Sequence, residues 1–226
     1  MNYAVIFNSC AIIIGTLIGK WLGSFFNSKI RNILFDSIGL TTIIIGISMG
    51  LKSNNMIIVL ISLAIGGVIG EFLNIEKQIE SLTSFFKNNK ETVSKGFLTT
   101  TILFVVGPMT ILGAMKAGFS QDNTLLNLKS ILDGISSIIF ASIYGYSVIL
   151  SAISVFFVET ILIIFSKNLY FLMDEVYLND FTAVGGIMIL GLGIRLLDLK
   201  DIKVGNFLPA LLMVIIIDYI KLRFSF

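Results

Sequence analysis

"ILDGISSIIFASIYGYSVILSAISVFFVETILIIF", residues Ile131 to Phe165, decides the fold. It is almost unbroken in apolar character and too long for one crossing of a bilayer, which takes roughly 20 residues as a helix. The break falls at "YGYS", Tyr144 to Ser147. Gly145 permits a tight turn there, and two tyrosines suit a membrane interface. Read this way, the stretch is a hairpin of two membrane helices carrying two carboxylates, Asp133 and Glu159.

Working outward, the 226 residues are 56% hydrophobic and 13% charged, with a mean hydropathy of +0.96. A soluble domain carries about a quarter charged residues. The chain reads as a single all-α transmembrane domain over residues 1–226, with no length left for a soluble one. Apolar segments fall at roughly 3–23, 33–51, 56–73, 97–115, 130–145, 147–166, 182–197 and 204–220. That gives eight crossings with the YGYS break and seven without it. The N-terminal segment lacks a basic leader and a small-residue cleavage site, so a retained helix is expected. With the N-terminus outside, ten Lys and Arg fall inside and six outside, a moderate inward bias. Lys129 counts among the outer six, and Arg195 is expected to snorkel, as is Lys116.

Composition excludes several functions. A net charge of +2 gives no footprint for nucleic acid. There is no His, and the one cysteine, Cys10, is expected to be a buried thiol. Zinc, haem and iron–sulfur centres lose their usual ligands, no cofactor is expected, and any metal would be a hard cation held by oxygens. No nucleophile–base pair is evident, so an enzyme is not expected. The polar stretch 75–95 places Ile75, Ile79, Leu82 and Phe86 at helical spacing, an amphipathic segment lying on the cytoplasmic membrane surface.

A repeat emerges at one fixed offset. Placing Gly39 on Gly186 puts Gly46 on Gly193, Glu71 on Asp218 and Phe72 on Tyr219. Units 33–74 and 180–221 then each hold a glycine-rich helix, a short connection and a second helix ending in an acid beside an aromatic. With eight crossings the two units run in opposite senses, as in the inverted repeats of many secondary transporters. The glycines Gly66, Gly67 and Gly70 lie along one helix face, which suits close helix packing.

The polar residues inside apolar segments are the candidate site. Glu159 has more than two apolar turns on each side; it must face the bundle interior, stay protonated or pair with a cation. Asp133 is either an N-cap, if its helix begins at Gly134, or an inward group sharing a face with Lys129, Ser136 and Ser137. Thr100, Thr101 and Asn206 are further oxygen ligands, and Asn8 lies inside the first helix. Pro108, after Gly107, and Pro209 each free a backbone carbonyl within an apolar span, giving either a kink or a broken helix beside a cavity. Glu71 and Asp218 sit at span ends, as solvated interfacial acids or as a gating pair.

The stretches "GISMGLKSNN", "AIGGVIGEFLNIE", "KSILDGISSIIFAS" and "VGNFLPALL" resemble the YdfK/YqgA family of bacterial inner-membrane proteins, domain of unknown function 554. The resemblance covers nearly the whole chain and implies a multi-pass protein of the bacterial cytoplasmic membrane. It implies no substrate and no catalytic residues. The family's "VGAM"-like stretch stands here as "VGPM". Taken together, the expectation is a small secondary transporter for an ion or small solute, working as a homodimer in the bilayer, with Glu159 as coupling acid between the repeat units. The alternatives are a small-ion channel and a non-transporting scaffold or sensor docking through 75–95.

Overall fold

The computed structural model describes residues 2–82 and 90–224, and among them there are helices and no strands. Ten α-helices follow in order: α1 (Tyr3–Gly23), α2 (Ser28–Gly50), α3 (Met56–Leu73), α4 (Ile75–Leu82), α5 (Lys90–Val105), α6 (Pro108–Phe119), α7 (Thr124–Tyr144), α8 (Ser147–Ile164), α9 (Glu175–Leu196) and α10 (Ala210–Phe224). Two 3₁₀ turns, Tyr170–Met173 and Val204–Phe207, precede α9 and α10. Seven segments, α1, α2, α3, α7, α8, α9 and Val204–Arg223, are each long and apolar enough to cross a bilayer. The chain is therefore an all-α polytopic membrane protein.

Local chemistry sets the ends. Asn2, Asn55 and Asp174 cap α1, α3 and α9 by accepting from the N–H groups of Ala4, Ile57 and Val176. Gly145 adopts φ +66° at the end of α7, the left-handed backbone that the tight α7–α8 turn requires. Two of the expected boundaries move. α7 begins at Thr124, so Lys129 lies within the span and not in an outer loop. α9 begins at Glu175, which brings Asp180 inside the helix.

The chain divides into two compact units, Met1–Leu34 with Thr83–Met173, and Phe35–Leu82 with Asp174–Phe226. In unit 1, α1 lies parallel to α7. A Cβ on Gly15, Gly19 or Gly23 would overlap the backbone carbonyl of Gly134, Ile138 or Ser142 respectively. These three glycines, four residues apart, let two backbones approach as small residues do in membranes. The opposite face of α1 is apolar and outward, with Trp21 and Phe25 both well exposed. Cys10 is also exposed, which corrects the buried thiol: it lies on the side of α1 turned away from α7 and α8.

α5 and α6 form a helix bent by 55° at Val106 and Gly107. Pro108 has no N–H to give the Phe104 carbonyl, and the Thr110 hydroxyl supplies that bond at 3.0 Å. Gly96 of α5 packs on Tyr144 and Ser147, at the start of α8, and Gly118 of α6 packs on Ile163 and Ser166, at its end. The bent pair therefore runs the whole length of α8, about 27 Å for 18 residues. With the bent pair counted as one span, the described residues hold eight candidate crossings; without it they hold seven.

In unit 2, α2 and α9 pack antiparallel. Gly46 meets Gly186 and Leu190, and Gly193 meets Ile43 and the Gly39 carbonyl. α3 packs antiparallel on the last span, Gly66 against Ala210 and Gly70 against the Asn206 carbonyl. The connection between α9 and α10 is longer than expected, because the 3₁₀ turn and Pro209 intervene. α4 covers the first part of the amphipathic segment, with Ile75 and Ile79 half-buried. Glu76 is buried against the 3₁₀ turn, so this first turn is anchored rather than merely laid on a surface. Phe86 and the rest of 83–89 lie outside the described residues, as does the side chain of Leu82.

Counting the bent α5–α6 pair as one crossing predicts both termini on the same face of the membrane. Impermeant labelling of single cysteines at Asn2 and Arg223, in a Cys10→Ser background, should modify both from the same side of sealed vesicles. Labelling from opposite sides would show that α5 and α6 turn back without crossing.

Candidate functional site

Four polar side chains from three helices of unit 1 converge in one buried centre. α7 contributes Lys129 and Asp133 one turn apart, α8 contributes Glu159, and α1 contributes Asn8. Asn8 and Glu159 are 0% exposed, and Lys129 and Asp133 are buried. The ammonium of Lys129 pairs with Asp133 Oδ2 and lies 3.3 Å from Glu159 Oε1. The Asn8 amide donates to the same two oxygens, at 3.2 Å and 2.8 Å. One cation and one amide thus bridge two carboxyls. Glu159 Oε2 and Asn8 Oδ1 have no partner among the described residues.

The packing explains the geometry. Parallel α1 and α7, held close by the glycine stripe, bring Asn8 level with Lys129 and Asp133. The Ser9 hydroxyl donates to the Ala152 carbonyl and ties α1 to α8. Asp133 sits mid-helix, since Asn123 stands at the N-cap position of α7; the inward reading of Asp133 is the one realised. Between α1 and α8, a cavity of about 370 Å³ is lined by Asn2, Val5, Thr160, Ile163 and Ile164. The Thr160 hydroxyl has no partner among the described residues.

The other expected site residues are distributed more widely. Ser137 donates to the Asp133 carbonyl at 2.7 Å, and Ser136 is half-buried. On α5, Thr100 donates to its own helix at Gly96, and the Thr101 hydroxyl has no partner among the described residues. Gly107 and Pro108 mark the bend, and a Cβ on Gly107 would meet open space.

Asn206 belongs to unit 2 and does not join the Glu159 centre. Its side chain accepts from Glu76 N at 2.7 Å and donates to Glu71 at 2.6 Å. Pro209 separates its 3₁₀ turn from α10. Glu71 is exposed and pairs with Lys203 at 3.0 Å. That bond and the negative charge of Glu71 raise the pKa of the Lys203 ammonium above its ordinary value. Asp218, expected at a solvated span end, is fully buried. Nearly all of segments 33–74 and 180–221 falls in unit 2, whereas Glu159 belongs to unit 1.

Sequence reasoning missed three groups. Lys129 and Asp180 fall just outside the expected spans at 130–145 and 182–197, because hydropathy falls at the start of α7 and α9. Arg195, expected to snorkel, is instead buried between Glu76 and Asp201, 2.8 Å from the latter. The signal for Lys129 was its spacing of four from Asp133, a partner one turn away.

Several apolar helices long enough to cross a bilayer, with a buried ammonium–dicarboxyl centre inside unit 1, define a polytopic membrane protein with ionisable groups in its interior. The chain belongs to the family described as protein of unknown function DUF554, which it matches over residues 3–219. It is 31% identical to the uncharacterized membrane protein YdfK of Bacillus subtilis (strain 168), over 98% of this chain and 100% of that one. It is 28% identical to the uncharacterized protein YqgA of Escherichia coli (strain K12), over 91% and 92%. No solved structure matches it.

The centre makes a stability prediction. Lys129→Met leaves two buried carboxyls without their cation and should cost about 3 kcal/mol, within the range for breaking a buried ion pair. The double variant Lys129→Met/Asp133→Asn removes one charge of each sign and should recover most of that loss. Thermal unfolding in detergent measures both; equal losses in the two variants would show that the pair is not coupled.

Proposed function

We propose that the protein is a small secondary transporter of the bacterial cytoplasmic membrane, moving an ion or small solute in exchange for a proton carried at the Glu159 centre. One observation carries the reading. Glu159 is wholly buried, one of its oxygens has no donor, and it shares a single ammonium with Asp133. With all three groups ionised the centre holds one uncompensated negative charge. A proton on Glu159 Oε2 would neutralise it. Ionisable groups kept inside membrane bundles commonly mark ion and proton paths, because their burial is otherwise costly.

Two further features support the reading. The α5–α6 pair is bent by 55° before Pro108, and a 3₁₀ turn and Pro209 precede α10, a pattern that suits transporters whose sites are built from discontinuous helices. The helices carrying the repeat glycines, α2 and α9, pack antiparallel with Gly46 on Gly186 and Gly39 on Gly193. An inverted repeat relating 33–74 to 180–221 would exchange those two contacts. The similarity to the uncharacterized membrane protein YdfK of Bacillus subtilis (strain 168) supports the location.

Glu159→Gln keeps the size and one hydrogen-bonding oxygen but cannot bind and release a proton. In proteoliposomes containing a pH-sensitive dye, wild type should move protons against a gradient of one member of a panel of cations and small metabolites. The variant should lose that coupled flux while keeping the wild-type unfolding temperature to within a few degrees. Undiminished flux in a folded variant would sink the reading. Trans-stimulation by the same solute would separate a carrier from a pore.

A further inference from the structure

A groove on unit 2 joins an apolar wall to a pair of opposite charges. It holds about 400 Å³, with Leu63, Ala64 and Val68 of α3 on one side and Phe207 of the 3₁₀ turn on the other. The Phe207 ring lies against Gly67, where a Cβ would overlap it. Glu71, Lys203 and Asn206 complete the lining. From Leu63 to Glu71 the α3 wall runs about 12 Å, at 1.5 Å per residue. α3 ends at Leu73, so Glu71 stands where the span leaves the hydrocarbon, and the apolar wall runs back into it.

The charged end is both held in place and open. Asn206 is buried and donates to Glu71 Oε2 at 2.6 Å, which fixes the carboxylate at the groove. Lys203 pairs with Glu71 Oε1 at 3.0 Å, yet the two side chains remain 58% and 57% exposed. An ammonium has three N–H donors and a carboxylate about four acceptor sites. Among the described residues, Lys203 spends one donor here and Glu71 two acceptor sites. The pair therefore presents unused donors beside unused acceptors.

A zwitterionic lipid headgroup with N–H donors has the complementary pattern. Its phosphate accepts from Lys203, its primary ammonium donates to Glu71, and an acyl chain lies along Leu63, Ala64 and Val68. A choline headgroup has the same charges but no N–H to give. A glycerol headgroup brings no cation and leaves Glu71 facing a phosphate. We propose that this groove binds an ethanolamine phospholipid, read through both charges of the Lys203–Glu71 pair. The site stands independently of Glu159.

Native mass spectrometry of the full-length protein, in micelles with equal phosphatidylethanolamine, phosphatidylcholine and phosphatidylglycerol, tests it. Wild type should retain phosphatidylethanolamine about tenfold over phosphatidylcholine, the value of one charged hydrogen bond. Glu71→Gln should lose that preference and favour phosphatidylglycerol, because Lys203 then stands without its carboxylate. Lys203→Met should weaken retention of phosphatidylethanolamine about fivefold, and Val68→Trp, which fills the groove, should weaken all three lipids. An exposed pair contributes little to folding, so the two charge variants should unfold at the wild-type temperature. Glu159→Gln should retain lipid as wild type does, so a failure of the transport reading leaves this result untouched. The proposal is overturned if wild type holds the three lipids equally or favours phosphatidylglycerol. It is equally overturned if the ethanolamine preference survives Glu71→Gln, or if Val68→Trp binds lipid undiminished.

Discussion

Lys129 is the group on which unit 1 depends. Two carboxyls on neighbouring helices could not share an apolar interior without it, and its ammonium could not be there without them. Desolvating each ion costs several kcal/mol, which the shared ammonium and the Asn8 donors offset in part, since Glu159 Oε2 has no donor among the described residues. The partners must also be level with one another. That condition falls on the backbone, where Gly15, Gly19 and Gly23 draw α1 against α7. A side chain at any of the three would push Asn8 away from both acids. The polar centre and the glycine stripe are one arrangement seen from two ends.

The same need to satisfy polar groups internally shapes the broken helices. A proline in a span leaves a carbonyl that lipid cannot satisfy. At Pro108 the Thr110 hydroxyl meets the freed Phe104 carbonyl, so the bend is stable without water. Before Pro209 the chain turns as a 3₁₀ helix whose Asn206 side chain bonds Glu76 and Glu71. Both breaks therefore sit where the protein itself supplies the missing partners. The bend at Gly107 still leaves α5 and α6 long enough together to match α8, so the topology follows from packing along a neighbour and not from hydropathy alone.

Much of the fold was legible in the sequence, because lipid demands long apolar helices and little else produces them. The Gly145 turn, the α7–α8 hairpin and the need for Glu159 to face inward were all readable. The starts of α7 and α9 were not. Each begins with polar residues that lower local hydropathy, and two of them, Lys129 and Asp180, are buried against partners on other elements. Hydropathy cannot distinguish a lysine in a loop from one buried against a carboxylate, since the difference lies in a partner on another helix. Asn8 was visible as a polar residue in the first helix but gave no sign of its partners 125 and 151 residues away. Arg195 misled for the same reason: its partner Glu76 lies in a segment that composition assigns to the surface.

Buried acids in the two units are held in different ways. In unit 1 the Lys129 ammonium lies within reach of both Asp133 and Glu159. In unit 2 Asp180 Oδ1 accepts instead from the Ser53 hydroxyl and from the backbone N–H groups of Asn54 and Asn55. An ammonium brings a full charge on one long side chain, whereas backbone amides bring dipoles fixed by the fold of a turn. The first cluster therefore depends on a single residue, and the second on the shape of the α2–α3 connection.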